Sequence, residues 1–290
     1  MEYLSYEELQ IRTQDITSNM SILTSEGQLG LHGLNDNGLF WMIKWTHILE
    51  EFKLRYGPYP NGFSDGFLKD APMVKPTYPD IPPSKIAIDQ VDGLKEGYIY
   101  KFGKSEHLEP MFKHGRIRIA PASLYNDPSL NKAIRDDELS FSISSRADNV
   151  VIKSHDNEII PTYGNVTFHL ESNTNYYVHC FASKYTFREY DDFEANACIV
   201  IRDPRVLFQK MMKEVFKKLP EFKGFASPVK YLDPLMCNPN DVDILFSKHF
   251  RYSYQNEVRS IWLPPSPLQH LEPFYIEIGS MEKYARIIRV

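Results

Sequence analysis

After about residue 96 the chain is built from short β-forming runs: GYIYKF, GRIRIA, LSFSIS, NVTFHL, YYVHCFA, ACIVIR, SPVKYL, VRSIWL and PFYIEI. β-Branched and aromatic residues fill them, and Gly, Pro, Asn, Asp or Ser separates them. This texture predicts an α+β domain whose strands pack as two antiparallel sheets with few helices.

One helix in this half is well marked. In DPRVLFQKMMKEVFKKLP, Asp203 is the cap, Pro204 takes the first helical position and Pro220 is the stop. Its apolar stripe runs through Leu207, Phe208, Met211, Met212, Val215, Phe216 and Leu219. A shorter helix is predicted over LEPMFKHG, with Pro110 tolerable only in the first turn and Gly115 closing the end. Before residue 90, NDNGLFWMIKWTHILEEFKLRYG reads as a helix capped among Asn35, Asp36 and Asn37 and stopped at Gly57. Leu39, Met42, Ile43, Thr46, Leu49 and Phe52 form its expected packing face, with Trp41 and Trp45 beside it. Pro72, Pro76, Pro79, Pro82 and Pro83 then impose extended backbone, so residues 72–85 read as a stiff connector. The expected division is an N-terminal extension over 1–90 and a main domain over 91–290.

Composition narrows the function classes. Hydrophobic residues are 42% of the 290 and charged residues 24%, the balance of a folded globular chain. A net charge of -5 offers a nucleic-acid backbone no global attraction. Cys180, Cys198 and Cys237 are too few and scattered for a disulfide framework, which fits a reducing cytoplasm. MEYLSYEELQ lacks the basic-then-apolar pattern of a secretory signal, although an injected effector would lack it too. No apolar run reaches membrane-spanning length, so no membrane partner is expected.

Two stretches carry candidate chemistry. In YQNEVR, strand alternation would put Gln255, Glu257 and Arg259 on one face, where Glu257 and Arg259 could simply pair weakly across a solvated surface. In LYNDP, Asn126 and Asp127 are turn formers before Pro128. Asp127 with Asp136, Asp137 and Glu138 is also an oxygen-rich set suited to a hard metal, though at no calcium-loop spacing. Cys180 reads as a small buried hydrophobe. The phosphate-loop, nucleophile-elbow, zincin and dinucleotide motifs are all missing.

In order, YKF, LEPMFKHGRIRIAPASLYNDP, DDE, VHCFASK, VKYL and FSKHFRYSYQNEVRSIWL resemble a bacterial family of unknown function. That family carries a YK[YF] opening, a helix ending in G-x-[IL]-x-[FI], an F-N-D-P turn, a CFS strand, a V-x-Y strand and a terminal [YW]-x-[YE]-E-x-E-x-R. The likeness spans about residues 98–263. The layout is similar in turn to the ADP-ribosyltransferase superfamily, which implies a split antiparallel β-sandwich behind an N-terminal helical extension.

The resemblance implies NAD as substrate, with a protein, a nucleic acid or water as acceptor. Tyr100 or Lys101 matches the first strand motif, where Arg or His is usual, Ser183 the second, and Gln255 with Glu257 the third. Glu257 would stabilise the charge that develops as the nicotinamide–ribose bond breaks, and Gln255 would orient the acceptor. Tyr252, Tyr125 or Phe181 would offer a stacking face for nicotinamide, and Asn126 and Asp127 would help to hold the nucleotide. Lys101, Arg116, Arg118 or Arg251 would meet the pyrophosphate. A non-catalytic binding module on the same fold and a metal-dependent nuclease are the competing readings.

Overall fold

The computed structural model describes residues 1–23, 29–33, 35–57, 93–131 and 133–290. The proline-rich connector at 72–85 and the expected boundary at 90 lie outside the described residues. The described chain forms two compact units. One takes in the residues up to Gly57 with Ser144–Thr167 and Pro234–Met236, and the other takes in those from Gly93 to Ile143, Phe168–Asp233 and Cys237–Val290.

In the first unit, α1 (Tyr6–Met20) packs on α2 (Asp36–Tyr56). α1 starts at a capping box in which Ser5 and Glu8 satisfy each other's backbone N–H. This helix was not foreseen, because its polar sequence gives only a weak apolar stripe: Leu9 and Ile16 are its fully buried aliphatics. α2 has the expected caps, Asn35 accepting from the Gly38 N–H and Gly57 at φ 83°. Its buried face differs from the expected one. Trp41, Lys44, Ile48 and Phe52 point inward, while Leu39, Met42 and Ile43 are exposed. The 41–44–48–52 spacing follows the helical period more closely and carries the larger rings.

The second unit is built on one eight-stranded sheet: β1 (Ile99–Gly103), β2 (Arg116–Pro121), β3 (Tyr177–Ala182), β4 (Ala197–Ile201), β5 (Lys223–Pro228), β6 (Glu257–Leu263), β7 (Phe274–Glu277) and β8 (Ala285–Arg289). Its strands run in the order β5-β6-β3-β1-β4-β8, with β7 paired to β2 and β2 to β3. Every ladder in it is antiparallel. Instead of the two packed sheets expected from sequence, these strands form one sheet that branches at β3. The class is α+β with a mainly antiparallel sheet.

The branch at β3 decides where the site lies. One edge of β3 pairs with β6 from Tyr177 to Ala182. The other edge is shared: β2 pairs at Tyr177 and Val178, and β1 pairs at Ala182 through Tyr100. Residues 179–181 are left between two diverging strands. Side chains and a neighbouring carbonyl fill the gap: Lys101 Nζ donates to the Cys180 carbonyl at 2.8 Å, and His179 Nδ1 lies 3.1 Å from the Arg118 carbonyl. Buried backbone groups need partners, and here an ammonium replaces a missing strand.

Helices cover the sheet. α3 (Ser105–His114) begins three residues before the expected start, so Pro110 sits in its interior and one helical hydrogen bond is forgone. Gly115 ends it at φ 68°, and a Cβ there would come within 2.3 Å of the Gly279 carbonyl. α4 (Arg188–Asp192) is a single short turn. α5 (Pro204–Lys218) has its expected cap, Asp203 accepting from the Val206 N–H. Leu207, Met211 and Val215 of α5 enter a core with Ile99, Ile117, Ile119, Tyr177, Phe181, Ile199 and Trp262. Tyr100, Phe102, Cys198 and Val200 face the opposite side, against Tyr190 of α4.

Candidate functional site: a cavity floored by a buried charge cluster

Glu257 opens β6, but Gln255 lies in the 3-10 turn Phe250–Gln255 that precedes it. The expectation that both alternate along one strand is corrected. Between them Asn256 is left-handed, at φ 43° and ψ 47°, a conformation that Asn tolerates better than most side chains. The kink still brings the two together: both are buried, and Lys248 bridges them at 3.2 Å to Gln255 Oε1 and 3.2 Å to Glu257 Oε2. The Gln255 amide donates its other end to the Ala133 carbonyl at 2.7 Å.

The surface ion pair considered for Glu257 and Arg259 is also corrected, because the pair is buried and Arg259 is 0% exposed. Arg259 Nε donates to Glu257 Oε1 at 2.8 Å, and Nη1 donates to the Leu245 carbonyl. Its Nη2 lies 2.6 Å from Glu138 Oε2, a charge contact without hydrogen-bond alignment. Lys248 also reaches Asp136 at 3.4 Å and Glu138 at 3.6 Å. Asp136, Glu138 and Glu257 thus share Lys248 and Arg259, so the cluster carries one negative charge more than it balances when all are ionised.

The surroundings sort these groups. Burial alone would raise the Glu257 pKa, but Arg259 and Lys248 outweigh it and hold the carboxyl well below the usual range. Burial opposes the charge on Lys248, yet Glu257, Glu138 and Asp136 push its pKa well above that of an ordinary lysine. Asp136 takes up the excess charge: burial lifts its pKa to about 6 against the pull of Lys248.

Above this cluster lies a cavity of about 370 Å³, at the small end of ligand-pocket volumes. Its wall includes Tyr100 and Lys101 of β1, Phe181 of β3, Tyr125, Lys248, Gln255 and Glu257. Glu189 and Phe193 close another side, and Lys104 and His107 are exposed at its rim. The Lys101 pKa is lowered by burial, which outweighs the nearby Cys180, Glu257 and Glu189.

The structure brings Tyr100, Lys101, Gln255 and Glu257 to this one cavity, along with Tyr125 and Phe181. Glu138 and Cys180 line it too, whereas Asn126, Asp127, Ser183, Tyr252, Arg116, Arg118 and Arg251 do not. Asn126 and Asp127 are exposed on the far side of a turn, and Asp127 Oδ1 accepts from the Ser129 N–H, the local bonding that makes Asx residues turn formers. Ser183 is exposed and its hydroxyl donates to the Asn256 carbonyl, so it braces the left-handed kink. Tyr252 lines a separate cavity of about 260 Å³ with Arg251, where its ring underlies Lys248 and its hydroxyl donates to the Arg135 carbonyl. Arg116 and Arg118 are exposed on β2. Of the oxygen-rich set, Asp136 and Glu138 pair with Lys248 and Arg259, and the Asp137 carboxylate accepts from the Leu139 N–H and the Ser140 hydroxyl. Burial raises the Cys180 thiol pKa well above normal, so it is no ready nucleophile.

Sequence reasoning missed Lys248 and Glu189. Lys248 lies in the FSKHF run, which assigns it no role, and Glu189 sits among Arg188, Asp191 and Asp192, a pattern that reads as an exposed charged turn. Comparison with protein-family models, with curated proteins and with solved structures finds no match. No helix among the described residues is long and apolar enough to cross a membrane.

Proposed function

We propose that this chain is an NAD-consuming enzyme that cleaves the nicotinamide–ribose bond and passes the ADP-ribosyl group to water, a protein or a nucleic acid. Its setting would be the cytoplasm of its own cell or of one into which it is delivered. The observation that carries the reading is the position of Glu257. It is a buried carboxylate kept ionised by two cations, in a cavity that Tyr100 and Lys101 also line. The sheet that branches between β1 and β2 supports the further likeness to the split sandwich of ADP-ribosyltransferases.

The chemistry asks for such a group. As the C–N bond breaks, the electron pair leaves with neutral nicotinamide and positive charge grows on the ribose. A fixed carboxylate stabilises that charge most in the transition state. Glu257 already accepts from Arg259 and Lys248, but a carboxylate offers about four lone-pair directions, which leaves room for a ribose hydroxyl. Gln255, held rigid by Lys248 and Ala133, would orient the incoming acceptor, whose proton passes to solvent. Tyr125 and Phe181 supply aromatic surface, and Lys104 and His107 at the rim suit the pyrophosphate.

The test is release of free nicotinamide from NAD by the purified protein, with and without protein and nucleic-acid acceptors. Glu257→Gln, shown by thermal melting to be folded, is expected to lower release on the order of 10²–10³-fold. No release above the protein-free control in any mixture ends the enzyme reading. In that case, a rise in Tm on adding NAD would leave a binding module.

A further inference from the structure

We propose that Glu189 is a specificity-determining residue of the cavity, pairing its carboxyl group with the carboxamide of a planar heteroaromatic ring. Two independent observations meet in this residue. Glu189 is one of the residues that line the cavity, on α4 and alongside Phe193. It is only 2% exposed, and although the Thr186 hydroxyl lies near it, neither its Oε1 nor that hydroxyl has a partner with hydrogen-bond alignment among the described residues. A buried polar atom without a partner costs on the order of 1–3 kcal/mol, and a ligand that satisfies it recovers that cost. No ion pair offsets the cost here: Lys101, the nearest cation on β1, is occupied by the Cys180 carbonyl.

The protonation state selects the ligand. Burial, then the neighbouring Asp192, push the Glu189 pKa well above that of an ordinary carboxyl, while Arg188 and the nearby Thr186 hydroxyl pull the other way. Facing groups on other elements act on the same carboxyl: Glu257 of β6 opposes its ionisation, and Lys101 of β1 favours it. Cys198 of β4, Tyr231 and Tyr254 complete its titratable surroundings, and burial raises the pKa of each, so they remain neutral. A neutral carboxylic acid presents one O–H donor and one carbonyl acceptor side by side. A primary carboxamide presents the matching acceptor and donor, and the pair closes with two parallel hydrogen bonds. A carboxylate-bearing ring would keep only the bond from the Glu189 O–H and would set its second oxygen against the Glu189 carbonyl, acceptor to acceptor.

This inference rests on the reading of the cavity as the site for nicotinamide, but it is tested without turnover. Binding of nicotinamide alone, and separately of nicotinic acid and adenosine, is measured by calorimetry on the full chain from pH 6 to 9. Wild type is expected to bind nicotinamide at least tenfold more tightly than nicotinic acid at neutral pH. The affinity for nicotinamide should weaken as pH rises through the raised pKa, because the ionised group loses its donor. Glu189→Gln keeps a donor and an acceptor, so it should retain binding and lose the pH dependence. Glu189→Leu, checked by melting, should lose binding tenfold or more. No nicotinamide binding to wild type, adenosine bound in its place, or equal binding by the leucine variant overturns the role of Glu189, even if NAD is cleaved. Nicotinamide bound as described but no NAD cleavage would uphold this role while removing the enzymatic one.

Discussion

Two of the buried carboxyl groups that line the cavity, Glu257 on β6 and Glu189 on α4, are in opposite electrical states. Both are almost completely removed from water. Glu257 has Arg259 and Lys248 in contact and is held ionised. Glu189 has no cation in contact through any ion pair among the described residues and is pushed toward the neutral form. Burial acts on both in the same direction. The difference comes from what each strand or turn places beside the group, and environments that separate two titratable groups in this way often mark a site's division of labour.

The most damaging way to break this contrast is to strip Glu257 of its cation. Arg259→Met should cost about 3–5 kcal/mol in urea melts, because Glu257 and Glu138 are left buried and under-compensated. Changing Glu257 to Gln in the same chain should recover part of the loss, and strict additivity of the two changes would refute the coupling. A smaller effect is expected between the two ends of the cavity. Lys101→Met removes the donor that serves the Cys180 carbonyl in the gap beside β3 and should cost about 1–3 kcal/mol. A neutral result there would mean that the branch needs no such support.

The mildest effect is a slope in the pH dependence. Asp136 titrates higher in the folded chain, at about 6, than its ordinary value of 3.8. The folded state therefore holds a proton that the unfolded state has released, and this stabilising contribution, full below 3.8, is lost as pH rises to about 6. Asp136→Asn should remove up to about 1.4 kcal/mol per pH unit from that slope. Glu257 works with the opposite sign, its contribution being present above 4.5 and lost only as pH falls below the usual carboxylate range.

Much of the fold was legible in the sequence. The β-forming runs became strands, and α5 kept its Asp203 cap, Pro204 start and stripe, because caps and periodicity act within a few residues. α1 was overlooked: its Ser5–Glu8 capping box is readable in the sequence, but its apolar stripe is sparse and is completed only by packing on α2. The last strand, Ala285–Arg289, was overlooked as well, and it finds its partner in β4, some ninety residues earlier in the chain. The site was half legible. Glu257, Gln255, Tyr100 and Lys101 do share a cavity, but by way of the kink at Asn256, since Gln255 is not on a strand at all.

By itself the sequence determined which segments would be strands and helices, where the caps fall, and that an acid and an amide two residues apart would lie near an early Tyr-Lys pair if the strands paired as the resemblance implies. Only the tertiary structure decided that β3 serves two partners along one edge, that Lys248 bridges Gln255 to Glu257, and that Glu189 is buried against the same cavity with its Oε1 unpartnered among the described residues. The reason is the range of the forces involved. Backbone propensity and capping are settled by neighbours in sequence, whereas the charge state of a buried group is settled by whatever distant strand is packed against it.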